Sequence, residues 1–378
     1  MTDTGGARER MHELTVEVVR TIDQVDAATW DDLCRGQSFV NHRWLRLAEN
    51  ILSGHEPRYV LVRRQGQLEA AAICSIGRRF GNRALQRRLG WVLRPFGWLR
   101  CAVPLSSETG IRVRPGSPRT QPVQVLLGAM RRLMLQERAL LSTVDFSTDR
   151  GLWADLQRGG FRQHSHWADQ VLPISWPTLD AYVAHLPGPH RREIGRLRRR
   201  AEREVIGVEP LRAPESHATR VRALIGEVLQ RHGTQDIYVA DLVGRGTAIL
   251  GDDVHVLAAR RRGELIGCAV LLRDGDALLA KWIGLDYARS WGTATYQMLM
   301  LESIRLAIEL GISRLVLGPT SGAIKRSFGA VPHERFSAMA VMRPVPASLV
   351  GRAARLVAGR AAVDPTYSSA TPPALSRA

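Results

Sequence analysis

Lysine is almost missing from this chain. Of its 53 basic residues only Lys281 and Lys325 are lysines, and the 378-residue sequence carries a formal net charge of +17. One interpretation is a high-GC genome, which favours arginine codons. The excess charge also suits a protein that binds anions, such as a nucleotide, tRNA or an acidic membrane surface, and charge alone does not choose among these partners.

Cysteine is also scarce, and long apolar runs are absent. The four cysteines form no CxxC pair, which argues against a zinc site or a disulfide framework; they are Cys34, Cys74, Cys101 and Cys268. No apolar run reaches the length of a membrane span, and residues 1–12 are too polar for a secretory signal. Motifs for a P-loop, a serine-hydrolase elbow or an HExxH zinc site are missing too. We therefore predict a reduced, cytoplasmic protein without a metal or a transmembrane segment.

The clearest positive pattern lies in residues 276–342. An apolar run over Ala277–Leu285 predicts a buried strand, and a helix follows over 296–310, where Gly311 ends it. A second apolar run, Arg314–Gly318, completes a βαβ unit. The turn between the first strand and the helix suits an anion, because the start of a helix has unpaired N–H groups and the positive end of its dipole.

The residues of this turn are specific enough to suggest a ligand. Gly292 and Ala294 have almost no side chain, so a ligand can approach the backbone, and Arg289 adds a cation. The pattern Arg289-x-x-Gly292-x-Ala294 resembles the Gln/Arg-x-x-Gly-x-Gly/Ala loop with which GNAT acyltransferases bind acyl-coenzyme A. A plain tight turn between strand and helix is the alternative.

The first half of the chain repeats this succession of elements. A helix over 121–136, a strand over 140–146 and a short helix over 152–157 follow in the same order, without the glycine-containing loop. We predict an α/β (α+β) fold of two tandem GNAT-like domains, each a mixed, mostly antiparallel sheet flanked by helices. The predicted divisions are disorder over 1–12, an N-terminal domain with a vestigial cofactor loop over 13–175, a basic inter-domain helix over 176–206, a catalytic domain over 207–343 and a tail over 344–378.

Two helical segments carry strong positive charge. In the segment 190–204, Ile194, Leu197 and Ala201 share one face, most arginines of 191–203 lie outside it, and glutamates interrupt the basic face only at its ends. This is either a solvated helix face supported by Glu–Arg pairs or a ridge that binds phosphates, for example of tRNA. A second amphipathic helix, predicted over 347–363, either docks on its own domain or makes a peripheral contact with an anionic membrane or a partner.

Several segments together resemble a known family. They are TWDDLC (29–34), SFVNHRWL (38–45), LDAYVAHLPGPHRREIGRLRRRAERE (179–204), IGLDYARSWGTATYQMLM (283–300) and IKRSFGA (324–330). Over about 16–342 the chain resembles the BioF2-like, FemAB-related branch of the GNAT superfamily. The resemblance implies two fused GNAT-type domains, and relatives that use either acyl-CoA or aminoacyl-tRNA as donor.

The resemblance also implies roles for individual residues. For acetyl-CoA or another acyl-CoA as co-substrate, the cofactor-binding residues are Ile283, Gly284 and Leu285 for the pantetheine, and Arg289, Gly292, Thr293 and Ala294 for the pyrophosphate. Lys325 resembles the lysine of the FK…FG segment in Fem-type transferases, where a cation suits a developing oxyanion. Ile324 replaces the usual aromatic residue before it, and Thr320 and Ser321 stand where GNAT enzymes have a tyrosine acid.

Acyl transfer needs a base for the attacking amine or hydroxyl. Asp286, at the end of the first strand, and Glu264, on the preceding hairpin, are the predicted bases, although Asp286 is equally suited to cap a helix or pair with Arg289. Tyr287, Tyr296 and His333 are further candidates. Three functions remain open: an acyl-CoA-dependent acyltransferase on a small-molecule or cell-envelope acceptor, which leads; a FemABX-type aminoacyl-tRNA-dependent transferase; and a catalytically silent GNAT-like binding protein.

Overall fold

The computed structural model describes residues 14–52, 54–78, 97–231 and 242–341. Within them the chain forms two compact units. Unit 1 comprises 14–49, 54–78, 97–167 and 334–341, and unit 2 comprises 50–52, 168–231 and 242–333. No helix in these ranges combines the length and apolar character needed to cross a membrane. The predictions for residues 1–12 and 347–363 lie outside the described residues.

Unit 1 is a mixed sheet with helices against it. Its strands are β1 (Leu14–Val19), β2 (Pro57–Arg64), β3 (Gln67–Gly77), β4 (Gly97–Cys101), β5 (Ile111–Val113), β6 (Ala139–Ser147) and the first part of β7 (Arg162–Pro173); its helices are α1 (Ala27–Leu33), α2 (His42–Ile51), α3 (Thr120–Gln136) and α4 (Arg150–Arg158). The apolar face of α3 packs on the sheet, with Val123, Leu126 and Met130 fully buried. Cys74 and Cys101 lie opposite each other on β3 and β4, and all four cysteines are buried core residues, as predicted.

Unit 2 has the same architecture. Its helices are α5 (Leu179–His185), α6 (Gly188–Glu204), α7 (Ala218–Arg231), α8 (Leu242–Leu250), α9 (Tyr287–Ser290), α10 (Thr295–Glu309) and α11 (Gly322–Ser327); its strands are β8 (Ile206–Pro210), β9 (Val254–Arg261), β10 (Glu264–Asp274), β11 (Ala277–Leu285), β12 (Arg314–Gly318) and the start of β13 (Val331–Val341). The helix α10 ends at Glu309 with Leu310 as its C-cap, and Gly311 takes a φ of +65°, a conformation that costs glycine little.

The two units repeat one strand order. In unit 1 the order is β1-β2-β3-β4-β6-β13, and in unit 2 it is β8-β9-β10-β11-β12-β7. In both, the fourth and fifth strands pair in parallel and every other neighbouring pair is antiparallel. The predicted fold class, a mixed and mostly antiparallel sheet flanked by helices in each of two halves, is confirmed.

The sixth strand of each unit comes from the other half of the sequence. Residues 170–173 of β7 pair with β12 in unit 2, and residues 336–341 of β13 pair with β6 in unit 1. The compact units therefore do not follow the predicted divisions at 175 and 207, because strand pairing extends beyond them. The predicted inter-domain helix, α6, packs inside unit 2 through Ile194, Leu197 and Ala201.

Candidate active site

The candidate site of unit 2 lies where its two parallel strands stop pairing. β11 and β12 pair only from Ala277–Arg314 to Leu279–Val316, although β11 continues to Leu285. A β-bulge on β11 at Lys281 follows directly, since Ala280 and Trp282 lie opposite consecutive residues of β10. A bulge bends its strand, so β11 diverges from β12 at the edge where both strands end. Ligands bind at this kind of crevice in sheets with parallel strands.

The predicted pantetheine segment lies on the part of β11 that pairs with β10 but extends beyond the pairing with β12. Ile283 and Leu285 are partly exposed there, whereas Gly284 is buried. A Cβ atom at Gly284 would lie 2.7 Å from Leu224 Cβ and 2.8 Å from Ile225 N on α7. Glycine is therefore required at this position because a helix backbone packs directly on the strand, and the predicted ligand contacts of all three residues stay predictions.

The predicted base Asp286 is tied into the scaffold. Its carboxylate accepts the Arg289 N–H at 3.2 Å and caps α9, and it also accepts Arg220 Nη2 at 2.8 Å and Arg289 Nη1 at 3.1 Å. Burial raises the pKa of Asp286, but the hydrogen bonds from Arg220 and Arg289 outweigh it and the pKa is lowered overall. These contacts match the capping alternative and make Asp286 a weak base.

Glu264 and Arg289 are ion-paired near the same loop. Glu264 is largely exposed at the start of β10, and its Oε2 lies 3.3 Å from Arg289 Nε. Because Arg289 also pairs with Asp286, the cation of the predicted pyrophosphate loop already has two carboxylate partners. Whether Glu264 acts as a base remains a prediction.

The remaining loop residues shape the start of α10. Gly292 has a φ of +68°, and a Cβ atom added there would meet no atom within 4 Å, so its backbone conformation, rather than crowding, favours glycine. Thr293 Oγ1 donates to Ser290 O at 2.7 Å and accepts the Thr295 N–H at 3.3 Å. Ala294 is fully buried at the N-cap position.

A carboxylate from α6 occupies the position predicted for a phosphate. Glu204 Oε2 accepts the Ala294 N–H at 3.0 Å, and Glu204 Oε1 accepts Arg200 Nε at 2.8 Å. Arg200 Nη2 in turn donates to the Gly292 carbonyl oxygen. Glu204 therefore binds the C-terminal end of α6 to the loop through Ala294, which lies 90 positions away in the sequence.

Lys325 lies at the carboxyl end of β12. Its side chain is buried, and Nζ donates to the carbonyl oxygens of Leu317 and, at 3.1 Å, of Gly318. Burial lowers the pKa of Lys325 to about 8, while the charge of Asp169 on β7 acts in the opposite direction. Lys325 is thus a cation that can lose its proton near neutral pH, at the edge of the sheet where the parallel strands diverge.

Other polar side chains from β7 and α10 surround this strand end. Gln170 lies opposite Gly318 on β7 and is buried, and its Oε1 has no hydrogen-bond partner among the described residues. Tyr296, in the first turn of α10, is hydrogen-bonded to Ser321, and burial raises its pKa to about 12. A tyrosine therefore reaches the loop in which the sequence lacks the usual GNAT tyrosine.

The helix α11 that carries Lys325 is held from outside by α5. Tyr182 is fully buried, and its hydroxyl donates to the Phe328 carbonyl oxygen at 2.8 Å. The backbone of Lys325 also accepts the Ala330 N–H at 3.1 Å. These bonds fix both the helix and the turn after it.

A basic cavity of about 610 Å³ lies beside the same helix. One wall is α6, and the other is formed by α11 and the start of α10; the lining includes Arg196, Arg199, Arg200, Arg203, Gln297 and Phe328. Among the described residues that line it, Glu193 is the one carboxylate, so four arginines face it with a net positive charge. The volume suits a small ligand or part of a larger one, and the charge favours phosphates.

The sequence patterns pointed to Lys325, Tyr296 and the loop but not to Glu204, Arg220, Asp169 or Gln170. The signal for Glu204 was present, because it is one of the glutamates that interrupt the basic face of α6 at its end. The others carried no local pattern, since each reaches the site only through packing of a separate element.

Comparison with known proteins identifies the fold and the family. The chain resembles FemX (TM-score 0.59, 12% identity, 89% of this chain and 100% of that one). It also resembles a tandem GNAT protein from the clavulanic acid biosynthesis pathway (0.57, 15%, 88% and 100%). A third similar structure is the C-terminal domain of an Agrobacterium fabrum protein assigned as a lysylphosphatidylglycerol synthetase (0.53, 11%, 90% and 99%).

At these identities the likeness establishes the tandem GNAT fold and no more. Among curated proteins no sequence match is found. The family model for FemAB-like proteins, described as peptidoglycan biosynthesis/recognition, matches residues 21–355. Because this match spans most of the chain, and because the fold agrees with it, the protein belongs to the FemAB-like family.

Proposed function

We propose that this protein transfers an aminoacyl group from the 3′ end of a charged tRNA to an amine of a cell-envelope precursor. The observation that carries the proposal is the basic cavity on α6 beside the helix that bears Lys325. Membership in the FemAB-like family and the GNAT fold support a group transfer as the reaction class. The description of the family supports a peptidoglycan-related acceptor.

The proposed reaction is the attack of an amine on an ester. The acceptor amine attacks the ester carbonyl, the new amide C–N bond forms, and the ester C–O bond to the ribose breaks. The amine loses a proton and the departing ribose hydroxyl gains one. Lys325 stabilises the negative charge that develops on the carbonyl oxygen, because an ammonium in a buried site interacts strongly with an oxyanion.

The arginines of α6 bind the phosphates of the RNA. Arg199 and Arg203 are exposed and line the cavity. Phosphate binding by arginine releases counterions, so affinity should fall steeply with salt. The ridge alternative from the sequence is thereby preferred to a merely solvated helix face.

An acyl-CoA donor is the second candidate. It is favoured by the sequence pattern Arg289-x-x-Gly292-x-Ala294 and by the end of the β11–β12 pairing at Leu279, beyond which an extended pantetheine would pair with β11. It ranks second because Glu204 accepts the Ala294 N–H on which a pyrophosphate would depend.

The test compares donors on the purified full chain. Binding of charged tRNA and of acetyl-CoA is measured by calorimetry, and transfer is measured with each donor and a peptidoglycan precursor that has a free amine. Replacing Arg199 and Arg203 together by alanine should weaken tRNA binding at least tenfold and lower the salt slope by about 2. The matched control removes two exposed arginines of unit 1, Arg132→Ala with Arg150→Ala, and should leave binding unchanged.

The Lys325→Ala variant separates binding from chemistry. It should bind tRNA as the wild type does but lose transfer by at least about a hundredfold, as expected for a lost oxyanion contact. Transfer from acetyl-CoA, with none from charged tRNA, would replace the first candidate by the second. Binding of neither donor would favour a silent binding protein.

A further inference from the structure

Glu204 forms an internal anion at the start of α10. Its side chain is about 20% exposed, one oxygen accepts the Ala294 N–H at 3.0 Å, and the other accepts Arg200 Nε at 2.8 Å. Burial raises the pKa of Glu204, but the Ala294 and Arg200 hydrogen bonds lower it overall, so the carboxylate is ionised at neutral pH. An ionised carboxylate at a helix N-terminus makes the same interactions as a bound phosphate.

Further hydrogen bonds connect the loop to the same end of α6. Arg200 Nη2 donates to the Gly292 carbonyl oxygen, and Arg261 on β9 donates to the carbonyl oxygens of Glu204 and Arg289, both at 3.3 Å. The side chain of Arg289 pairs with Asp286 and Glu264. Two donors with which this loop would hold a pyrophosphate, the Ala294 N–H and the Arg289 guanidinium, are therefore engaged by carboxylates of the protein itself.

We propose that Glu204 is a specificity-determining residue that excludes donors with a pyrophosphate at this loop, such as coenzyme A thioesters. It does so by occupying the Ala294 N–H and by repelling a second anion. Donors whose phosphates lie along the arginines of α6 are not affected. The inference rests on the proposed function, because it concerns the donor side of the same site.

A pair of variants tests this role. Glu204→Ala empties the position, and Glu204→Gln keeps an oxygen acceptor while it removes the charge. Glu202→Ala is the matched control, because Glu202 is exposed on the same helical turn and its substitution removes the same charge. Binding of coenzyme A and of inorganic pyrophosphate is measured for each full-length variant, with thermal unfolding to show that it is folded.

Glu204→Ala should bind coenzyme A and pyrophosphate at least tenfold more tightly than the wild type, Glu204→Gln should gain less, and Glu202→Ala should not differ from the wild type. Equal or weaker binding by a folded Glu204→Ala variant overturns the proposal, since Glu204 would then be a plain helix–loop contact. Tight wild-type binding that displaces Glu204 overturns it as well. If Glu204→Gln alone is folded, its comparison with Glu202→Ala decides the matter.

The outcome for Glu204 and the outcome for the proposed function can be told apart. A wild type that transfers from charged tRNA, with no gain of coenzyme A binding in either variant, removes the role of Glu204 and leaves the tRNA proposal standing. A gain of coenzyme A binding in a protein that transfers from neither donor supports the role of Glu204 and removes the proposed function.

Discussion

At the scale of single residues, the contacts of Lys325 explain why this position has a lysine and not an arginine. An ammonium has three N–H donors, and the carbonyl oxygens of Leu317 and Gly318 take two of them, which leaves one for a substrate oxygen. Burial can move the pKa of a lysine toward neutrality, whereas arginine keeps its proton. The position therefore demands a compact cation, which a planar guanidinium does not provide.

The lowered pKa of Lys325 gives the reaction a pH dependence. If its ammonium stabilises the oxyanion, the pKa of about 8 means that the rate of transfer falls as pH rises through about 8. In Lys325→Arg the cation persists to about pH 12 or above, so any residual activity should lack this fall. Single-turnover rates between pH 6 and pH 10 measure it. A rate that rises through pH 8 in the wild type and not in the variant would identify Lys325 as a base instead.

At the scale of elements, the contact of α7 with β11 fixes the strand that bears the predicted pantetheine segment. Gly284 lies against the α7 backbone at Ile225, and the Arg220 side chain of the same helix holds Asp286 at the end of β11. One helix thus sets both the position of the strand and the start of the loop.

The Gly284→Ala substitution tests this contact. The added Cβ would come within 2.7 Å of Leu224 Cβ and 2.8 Å of the backbone at Ile225, and a backbone cannot move aside cheaply. We expect a loss of about 1–3 kcal/mol in the free energy of unfolding, measured by urea denaturation. Gly226→Ala on α7 is the control, since it meets no atom within 4 Å and should be neutral or stabilising. Equal stability of the two variants would contradict the close contact.

At the scale of the whole molecule, each unit takes its sixth strand from the other half of the sequence. In unit 1 this sixth strand is β13, whose Ala338 is fully buried in the core and lies opposite Val144 of β6. In unit 2 the sixth strand is β7, which also brings Asp169 and Gln170 next to β12. Neither sheet is complete until both halves of the chain have folded.

A substitution near the C-terminus should therefore destabilise the N-terminal unit. Ala338→Asp buries a carboxylate in the unit 1 core, and we expect a loss of about 3 kcal/mol or more. Hydrogen exchange should accelerate in β6 and α3. His333→Ala, an exposed position on the same strand, is the control. Unchanged protection of β6 and α3 in Ala338→Asp would show that unit 1 does not depend on β13.

The sequence by itself determined the local elements, because these follow from periodicity and from glycine. The strands Ala277–Leu285 and Arg314–Gly318 begin and end as predicted, and Gly311 follows the end of the helix between them. The two-fold repetition of elements was also visible, since helix and strand patterns are local and recur in the same order. Lys325 was predicted as a site residue from its resemblance to the lysine of the FK…FG segment, and its being one of two lysines agrees with that prediction.

Only the tertiary structure decided which groups meet. Glu204 reaches Ala294, Arg220 reaches Asp286, and β7 and β13 each complete the sheet of the other half. The first two of these contacts join residues 90 and 66 positions apart, and no local pattern specifies such a partner. The loop from Arg289 to Ala294 illustrates the division: its shape could be predicted from its own residues, but the carboxylate that occupies it could not.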